Sequence, residues 1–257
     1  MNKYLNESLH FSNISYYTNN WIEDNLDEST AVNIYESKSL NFLKKNKLNV
    51  QINNKFNLGL PNILHCKNNR VLFLSFPGIR SNLDKLNCLN FNLKYSDELK
   101  SNIHKGFLHI FHKLKDEIDL LININLEDID EVIFSGHSLG GAIAKIFALY
   151  CKFNYKLKVY CYTFACPLIG DDTFSNVLNN NLNNLFTLCC EKDFLIRLPS
   201  WRYCNEKKKY MISNKKLVKY ENLTIDYMFN FFKLEAKSHR LYHYIDFLEN
   251  KRFNLDI

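Results

Sequence analysis

The chain has 257 residues, of which 46% are hydrophobic and 14% aromatic, and it carries a net charge of +6 at pH 7. This length suits one domain with a full core, and the hydrophobic content excludes wholesale disorder. The charge is modest and the basic residues are dispersed without a recognised module, so we expect no nucleic-acid partner.

The N-terminal segment predicts helices rather than a leader. Residues 1–7 contain no apolar core of signal-peptide length, and no run in the sequence is long enough to span a bilayer. Residues 3–48 have apolar side chains at helical spacing, and we expect them to cover one side of a sheet. No linker rich in Pro, Gly or Ser follows, so we expect a single domain over residues 1–257.

Strands then alternate with helices. Residues 62–76 predict a hairpin with its turn at Asn68 and Asn69. Apolar positions at helical spacing over 107–121 predict a long amphipathic helix. Continuous apolar runs at 159–165 and 185–190 are typical of central strands with both faces covered. This alternation predicts a mainly parallel sheet with the site at the carboxyl ends of its strands.

Residues 132–143 carry the pattern that a nucleophilic serine needs. A short apolar run is followed by a GxSxG motif from Gly136 to Gly140 and then by a small-residue, helix-forming stretch. A serine nucleophile sits on a strained strand-to-helix turn, where glycines let the backbone pass closely on either side. The motif and its flanks make Ser138 the predicted nucleophile.

A serine hydroxyl is a weak nucleophile by itself, so the motif also predicts a histidine base and an acid that orients this base. In the fold that uses this turn, the acid and then the histidine follow the serine in the chain. The histidines after Ser138 are His239 and His243. The candidate acids are Asp171, Asp172, Glu191, Asp193 and several residues between 205 and 237.

Five blocks in order resemble the class 3 (fungal-type) lipase family of the α/β-hydrolase fold, and the resemblance covers about residues 70–247. It implies one α/β-hydrolase domain with a mainly parallel central sheet, helices on both faces and a short lid segment, with residues 1–48 as an N-terminal helical cover. The blocks are 71–84 (family pattern FRGTxSxxD), 103–107 (VHxGF), 136–141 (GHSLGG), 163–174 (TFGxPRVGDxxF) and 191–199, the acid block.

The resemblance also implies the catalytic triad. Its members are the nucleophile Ser138, the acid Asp193 and the base His239. The acid comes directly after the apolar run 185–190, so a strand end can present it, whereas Asp171 matches a family position that is structural. His243 remains the alternative base, because it lies only four residues further along the same segment.

The oxyanion loop departs from the family pattern. Pro77 stands where the family has an arginine, and Ile79 stands where many members have a threonine or serine whose hydroxyl donates to the oxyanion. Only backbone donors then remain, and we expect the N–H groups of Ile79 and Leu139 to form the oxyanion hole. A third departure, Leu168 in place of an arginine, touches no triad role.

The segment between this loop and residues 103–107 corresponds to the lid of the family. Its apolar side chains would cover an acyl pocket when the lid is closed and contact lipid when it is open. An ordinary surface helix packed on the core is the alternative interpretation. The lid residues are Leu83, Leu86, Leu89 and Phe91.

Two further features concern the surroundings of the protein. The basic run at 207–216 predicts either a solvated surface hairpin or a weak, transient contact with anionic lipid headgroups. The eight cysteines show neither CxxC spacing nor the histidine partners of a zinc site. Several of them fall in predicted buried strands, where a reduced thiol behaves as a small apolar residue. We therefore expect no metal and an intracellular, cytoplasmic location.

The sequence thus predicts a serine hydrolase that cleaves carboxylic esters of lipids, an acylglycerol or phospholipid lipase, through an acyl-enzyme. This chemistry requires no metal and no organic cofactor. A small-ester esterase or thioesterase would share the chemistry and differ in the shape of its pocket. A catalytically silent, lipase-like binding or signalling module is the other alternative, and Pro77 and Ile79 favour it.

Overall fold

A computed structural model describes most of the chain, namely residues 3–18, 22, 34–53, 60–79, 91–198, 202–204, 209–213, 216–219 and 236–250. The α-helices in these ranges are α1 (Leu5–Ile14), α2 (Ile34–Asn46), α3 (Lys105–Asn123), α4 (Leu139–Asn154), α5 (Asp172–Asn181) and α6 (Tyr242–Asn250). Short 3-10 turns are present at Leu195–Arg197 and Ala236–His239.

The strands are β1 (Gln51–Asn53), β2 (Ile63–Asn68), β3 (Val71–Phe76), β4 (Leu93–Ser96), β5 (Ser101–His104), β6 (Glu131–His137), β7 (Lys158–Phe164), β8 (Leu185–Cys190), β9 (Lys209–Ser213) and β10 (Lys216–Lys219). Eight of them form one sheet in the order β1-β2-β3-β6-β7-β8-β9-β10, and β4 pairs with β5. The sheet is parallel from β3 to β9 and antiparallel at its two ends. The predicted mainly parallel sheet is confirmed.

Helices cover both faces of this sheet. Neighbouring side chains of a strand point to opposite faces, so Leu72 and Leu74 of β3 pack in one layer while Phe73 packs in the other. The first layer contains α3, α4 and α5, and the second contains α1, α2 and α6. The two apolar clusters explain why the central strands are hydrophobic without alternation.

The predicted N-terminal helices include α1 and α2. Leu9 and Ile14 of α1 and Leu43 of α2 are buried in the second layer, as their spacing predicted. Trp21, which the same pattern places in the core, lies outside the described residues. The described part of the N-terminal segment therefore packs on the sheet beside β3 and β6.

The hairpin β2–β3 differs from its prediction by one residue. Its register pairs Asn68 with Val71, so the turn is made by Asn69 and Arg70. Asn69 adopts φ 53°, a left-handed conformation that asparagine tolerates better than most side chains. The predicted turn was wrong by one position because Asn68 still belongs to the ladder.

The basic run also differs from the expected solvated hairpin. Strands β9 and β10 do form a hairpin, but β9 pairs with β8 and belongs to the main sheet. Lys209 is only 1% exposed, and its Nζ donates a hydrogen bond to the carbonyl of Ile196 over 3.3 Å. Part of the run is therefore core, because the long aliphatic stem of a lysine can lie in an apolar layer. No helix among the described residues is long and apolar enough to cross a membrane.

Candidate active site

Ser138 lies at the turn between β6 and α4, with φ 54° and ψ −124°. Its N–H donates to the carbonyl of Phe164 over 2.9 Å. Gly136 and Gly140 allow this turn, because a Cβ on Gly136 would collide with the backbone of Gly140, and a Cβ on Gly140 would collide with the backbone of Phe76. The serine therefore occupies the strained strand-to-helix turn that its motif predicted.

Ser138, His239 and Asp193 form one hydrogen-bonded chain. His239 Nε2 lies 2.7 Å from Ser138 Oγ, and His239 Nδ1 lies 2.7 Å from Asp193 Oδ2. The Asp193 side chain is fully buried, and that of His239 is 15% exposed. The structure thus brings together the three residues to which the sequence assigns the triad, although their catalytic roles remain a prediction.

The partners of Asp193 determine the tautomer of His239. The second carboxylate oxygen of Asp193 accepts the Leu195 N–H over 3.0 Å, so Oδ2 is left for the histidine. A carboxylate only accepts, so Nδ1 of His239 carries the proton and Nε2 has a free lone pair. The Ser138 hydroxyl then donates to Nε2, which is the arrangement a general base needs to remove that proton.

The acid and the base are held by neighbouring elements. Asp193 follows the end of β8, and His239 ends a 3-10 turn that leads into α6. Tyr244 of α6 is fully buried, and its hydroxyl accepts the N–H of Cys190 over 3.0 Å. This bond ties α6 to the end of β8, so the distance between Asp193 and His239 is fixed from both sides.

His243, the alternative base, is not part of this chain of bonds. It lies in the first turn of α6, where its N–H donates to the carbonyl of Arg240. Its buried Nε2 has no hydrogen-bond partner in the described part of the protein. Asp171, another candidate acid, caps α5 by accepting the N–H groups of Thr173 and Phe174. Neither side chain forms a hydrogen bond with Ser138 Oγ among the described residues, where that atom is hydrogen-bonded to His239.

The oxyanion loop lies next to the nucleophile. A Cβ placed on Gly78 would stand 3.1 Å from the Cβ of Ser138. The N–H of Gly78 donates to the Tyr16 hydroxyl over 2.7 Å, so we do not assign it as an oxyanion donor. Leu139 begins α4, where the first N–H groups lack acceptors within the helix. The N–H groups of Ile79 and Leu139 therefore remain our predicted oxyanion donors.

Sequence reasoning missed two residues beside the triad, Tyr16 and His137. Tyr16 follows the end of α1, and its hydroxyl lies 2.8 Å from His137 Nδ1. His137 Nε2 lies 2.7 Å from the backbone oxygen of His239. Burial lowers the pKa of His137 to about 3. His137 stands inside the GHSLGG motif, which could have marked it, whereas no local pattern distinguishes Tyr16.

Of the four predicted lid residues, Phe91 is within the described part of the chain. Leu83, Leu86 and Leu89 lie outside the described residues. Phe91 is 48% exposed, its backbone oxygen accepts the Tyr203 hydroxyl over 2.7 Å, and its ring meets that of His104 edge to face. The lid assignment therefore stays a prediction. Within the described ranges, no cluster of three or more His, Cys, Asp and Glu side chains is arranged to hold a metal ion.

Comparison with known families gives one match that spans half of the chain. The model of the family Lipase (class 3) matches residues 73–203, which include Ser138 and Asp193. A secreted mono- and diacylglycerol lipase of Fusarium solani is 28% identical over 116 residues. That alignment covers 43% of this chain and 34% of the Fusarium protein, so the chain matches about a third of the length of this relative.

Solved structures share the whole architecture. A triacylglycerol lipase whose catalytic centre is a serine protease triad superposes with a TM-score of 0.71 at 17% identity, over 93% of this chain and 94% of that one. Lipase II of Rhizopus niveus superposes with a TM-score of 0.70 at 16% identity, over the same shares. At these identities the likeness shows the fold, which is the predicted α/β-hydrolase fold.

Proposed function

The chain belongs to the class 3 lipase family, and we propose that it is a serine hydrolase that cleaves carboxylic esters of lipids. The observation that carries this proposal is the unbroken chain of hydrogen bonds from Ser138 through His239 to the buried Asp193. A hydroxyl, an imidazole with a free lone pair and an orienting carboxylate are the three groups that acyl transfer to a serine requires.

In the proposed reaction, Ser138 Oγ attacks the ester carbonyl while His239 Nε2 removes the hydroxyl proton. Asp193 keeps the resulting imidazolium oriented, and the N–H groups of Ile79 and Leu139 hold the oxyanion. Collapse of the tetrahedral intermediate breaks the bond to the alcohol, which leaves with the proton from His239. Water, deprotonated by the same histidine, then attacks the acyl-enzyme; the bond between the acyl carbon and Ser138 Oγ breaks, Oγ takes the proton back from His239, and the carboxylic acid leaves.

We propose an acylglycerol or a phospholipid as the substrate. The name of the Fusarium relative, a mono- and diacylglycerol lipase, supports the first choice. Ile79, which precedes the predicted lid segment, and Phe91, which belongs to it, have exposed apolar side chains, and such side chains favour transient contact with a lipid surface. Contact with membranes is therefore part of the proposal, with the lid as its apolar element.

Hydrolysis of a lipid panel tests this proposal. The panel holds a mono-, a di- and a triacylglycerol, a phosphatidylcholine, a soluble short-chain ester and an acyl thioester, each assayed with the wild type and with Ser138→Ala. We expect release of fatty acid from at least one of the lipid esters by the wild type and none above background by the variant. Turnover of only the short-chain ester or the thioester would instead favour an esterase or a thioesterase.

We also propose an intracellular location. The buried cysteines Cys66 and Cys151 form no disulfide within the described part of the chain, and burial raises the pKa of Cys151 to about 12, which suppresses the reactive thiolate. The Fusarium relative is named as a secreted protein, which argues for the opposite location. Fractionation of the source cells, with an antibody against this chain, decides between the two; recovery from the medium would overturn the intracellular assignment.

A further inference from the structure

We propose that Tyr16 is a positioning residue of the active site, whose hydroxyl links the oxyanion loop to the catalytic histidine through His137. The inference rests on the proposed function, because it takes His239 as the base and the loop at Gly78 as the oxyanion loop. It gives the N-terminal segment a part in catalysis, although Tyr16 lies in none of the sequence motifs.

Three consecutive contacts carry the inference. The Gly78 N–H donates to the Tyr16 hydroxyl over 2.7 Å, this hydroxyl lies 2.8 Å from His137 Nδ1, and His137 Nε2 lies 2.7 Å from the backbone oxygen of His239. Gly78 and His137 are buried and Tyr16 is half-buried, so water competes weakly for these groups. Tyr16 and His137 are 121 residues apart in the sequence, and His137 and His239 are 102 residues apart.

The direction of each bond follows from the chemistry of its partners. The His239 carbonyl only accepts, so Nε2 of His137 must carry a proton. His137 is neutral because burial disfavours its charged form, so its Nδ1 has no proton and accepts from the Tyr16 hydroxyl. The oxygen of that hydroxyl accepts the Gly78 N–H.

This chain of bonds connects three segments that must keep their mutual positions during the reaction. They are the oxyanion loop after β3, the nucleophile turn after β6 and the 3-10 turn that ends at His239. Tyr16 fits closely against the first of them, since a Cβ on Gly78 would collide with the Tyr16 hydroxyl. Neither Tyr16 nor His137 hydrogen-bonds Ser138 Oγ, so both act through their neighbours.

Removal of the Tyr16 hydroxyl should therefore affect the transition state more than substrate binding. It leaves the Gly78 N–H and His137 Nδ1 without partners and releases the loop that carries the Ile79 donor. A displacement of about 1 Å in such a loop costs on the order of 100-fold in rate. Loss of a donor that acts only in the transition state lowers kcat and leaves KM nearly unchanged.

The first experiment compares Tyr16→Phe with Tyr17→Phe, which deletes the same atom one residue further along. The Tyr17 hydroxyl donates to Glu36 in the next helix, which is not one of the residues in the proposed chain of bonds. We expect kcat on a cleaved ester to fall about 10-fold to 100-fold for Tyr16→Phe with KM within about twofold, and to stay at the wild-type value for Tyr17→Phe. Equal effects of the two variants, or a change confined to KM, would overturn the proposal.

A double-mutant cycle and a measurement without substrate complete the test. The double variant of Tyr16→Phe and His137→Phe should lose little more kcat than the worse single variant, because both break the same chain of hydrogen bonds; additive losses would contradict the proposal.

Nitrogen-15 NMR of histidine-labelled Ser138→Ala should show His137 neutral and protonated on Nε2 at pH 5. If the wild type has no esterase activity but the labelled variant still shows this tautomer, the proposed function is wrong and the hydrogen-bond chain stands. If His137 is protonated on Nδ1 instead, the hydrogen-bond chain is wrong.

Discussion

Ser138 is held in a backbone conformation that costs a non-glycine residue on the order of 1–3 kcal/mol. Gly136 and Gly140 take the close backbone approaches on either side of Ser138, where a Cβ would collide with the neighbouring backbone. The N–H of Ser138 remains bonded to Phe164 on the neighbouring strand, so the turn is fixed rather than loose. The hydroxyl is thereby held 2.7 Å from His239 Nε2.

Substitution of Ile79 tests the predicted oxyanion hole. Removal of one oxyanion donor typically costs about 100-fold to 1,000-fold in kcat, and Ile79 provides no side-chain donor. Ile79→Thr keeps the β-branched shape and adds a hydroxyl beside Gly78. We predict that steady-state kinetics will show kcat raised at least several-fold with little change in KM, the pattern of a bond made only in the transition state.

The matched control for this variant is Ile79→Val, which keeps the branched shape without the hydroxyl. It should leave kcat near the wild-type value. A folded Ile79→Thr protein whose kcat is unchanged or lower would mean that the side chain at position 79 does not face the oxyanion. The Ile79 side chain is 38% exposed to solvent, so a hydroxyl at this position could bond to water instead of the oxyanion.

His137 makes stability depend on pH in a defined direction. Burial lowers its pKa in the folded protein to about 3, against 6.5 for an unperturbed histidine. Between these values the unfolded chain binds a proton that the folded chain does not, so stability falls as the pH falls from about 6.5 toward 3. We predict that His137→Gln will show a smaller loss of Tm than the wild type over this range. Parallel Tm curves for the two proteins would show that His137 does not titrate on unfolding.

The sequence could indicate which residues of the triad meet, although their roles stay a prediction. Ser138 and Asp193 lie in two blocks of the family pattern and His239 lies near the C-terminus, and the structure brings the three within hydrogen-bond distance. Tyr16 belongs to no motif, and its partner His137 lies 121 residues away. A single hydrogen bond across that distance leaves no periodicity in the sequence, so only the folded structure identifies it.

At the scale of elements, apolar runs predicted the central strands closely. The run 185–190 is β8, and the run 159–165 is β7 displaced by one residue. Such runs are reliable because both faces of these strands are covered by helices. The sequence predicted a solvated hairpin where β9 lies, because Lys209 and the lysines before it are charged residues. The aliphatic stem of Lys209 is nevertheless buried.

The lid segment is the element whose role a substitution can decide. A triple change of Leu83, Leu86 and Phe91 to serine removes apolar surface that would gain a lipid partner only at an interface. We predict that fatty-acid release from emulsified long-chain lipid will fall more than hydrolysis of a soluble short-chain ester. Equal losses on both substrates, or none, would remove the lid assignment and favour a plain esterase.

At the scale of the whole molecule, the site gathers segments from most of the chain onto one edge of the sheet. The loops after β3, β6 and β8 meet there because the strands are parallel and their carboxyl ends share that edge. The turn that carries His239 joins them through α6, and the end of α1 joins them through Tyr16. The fold class predicts the edge, whereas the contributions of the two terminal segments depend on packing in the second layer.

The proposed function requires Ser138 to be an activated nucleophile, and the rate of covalent labelling by a fluorophosphonate measures this reactivity. We predict that the wild type is labelled on Ser138, that Ser138→Ala is not labelled, and that His239→Ala is labelled orders of magnitude more slowly. His243→Ala should react at the wild-type rate, because its ring has no bond to the triad. A folded wild-type protein that is not labelled would contradict the account and favour a catalytically silent member of the family.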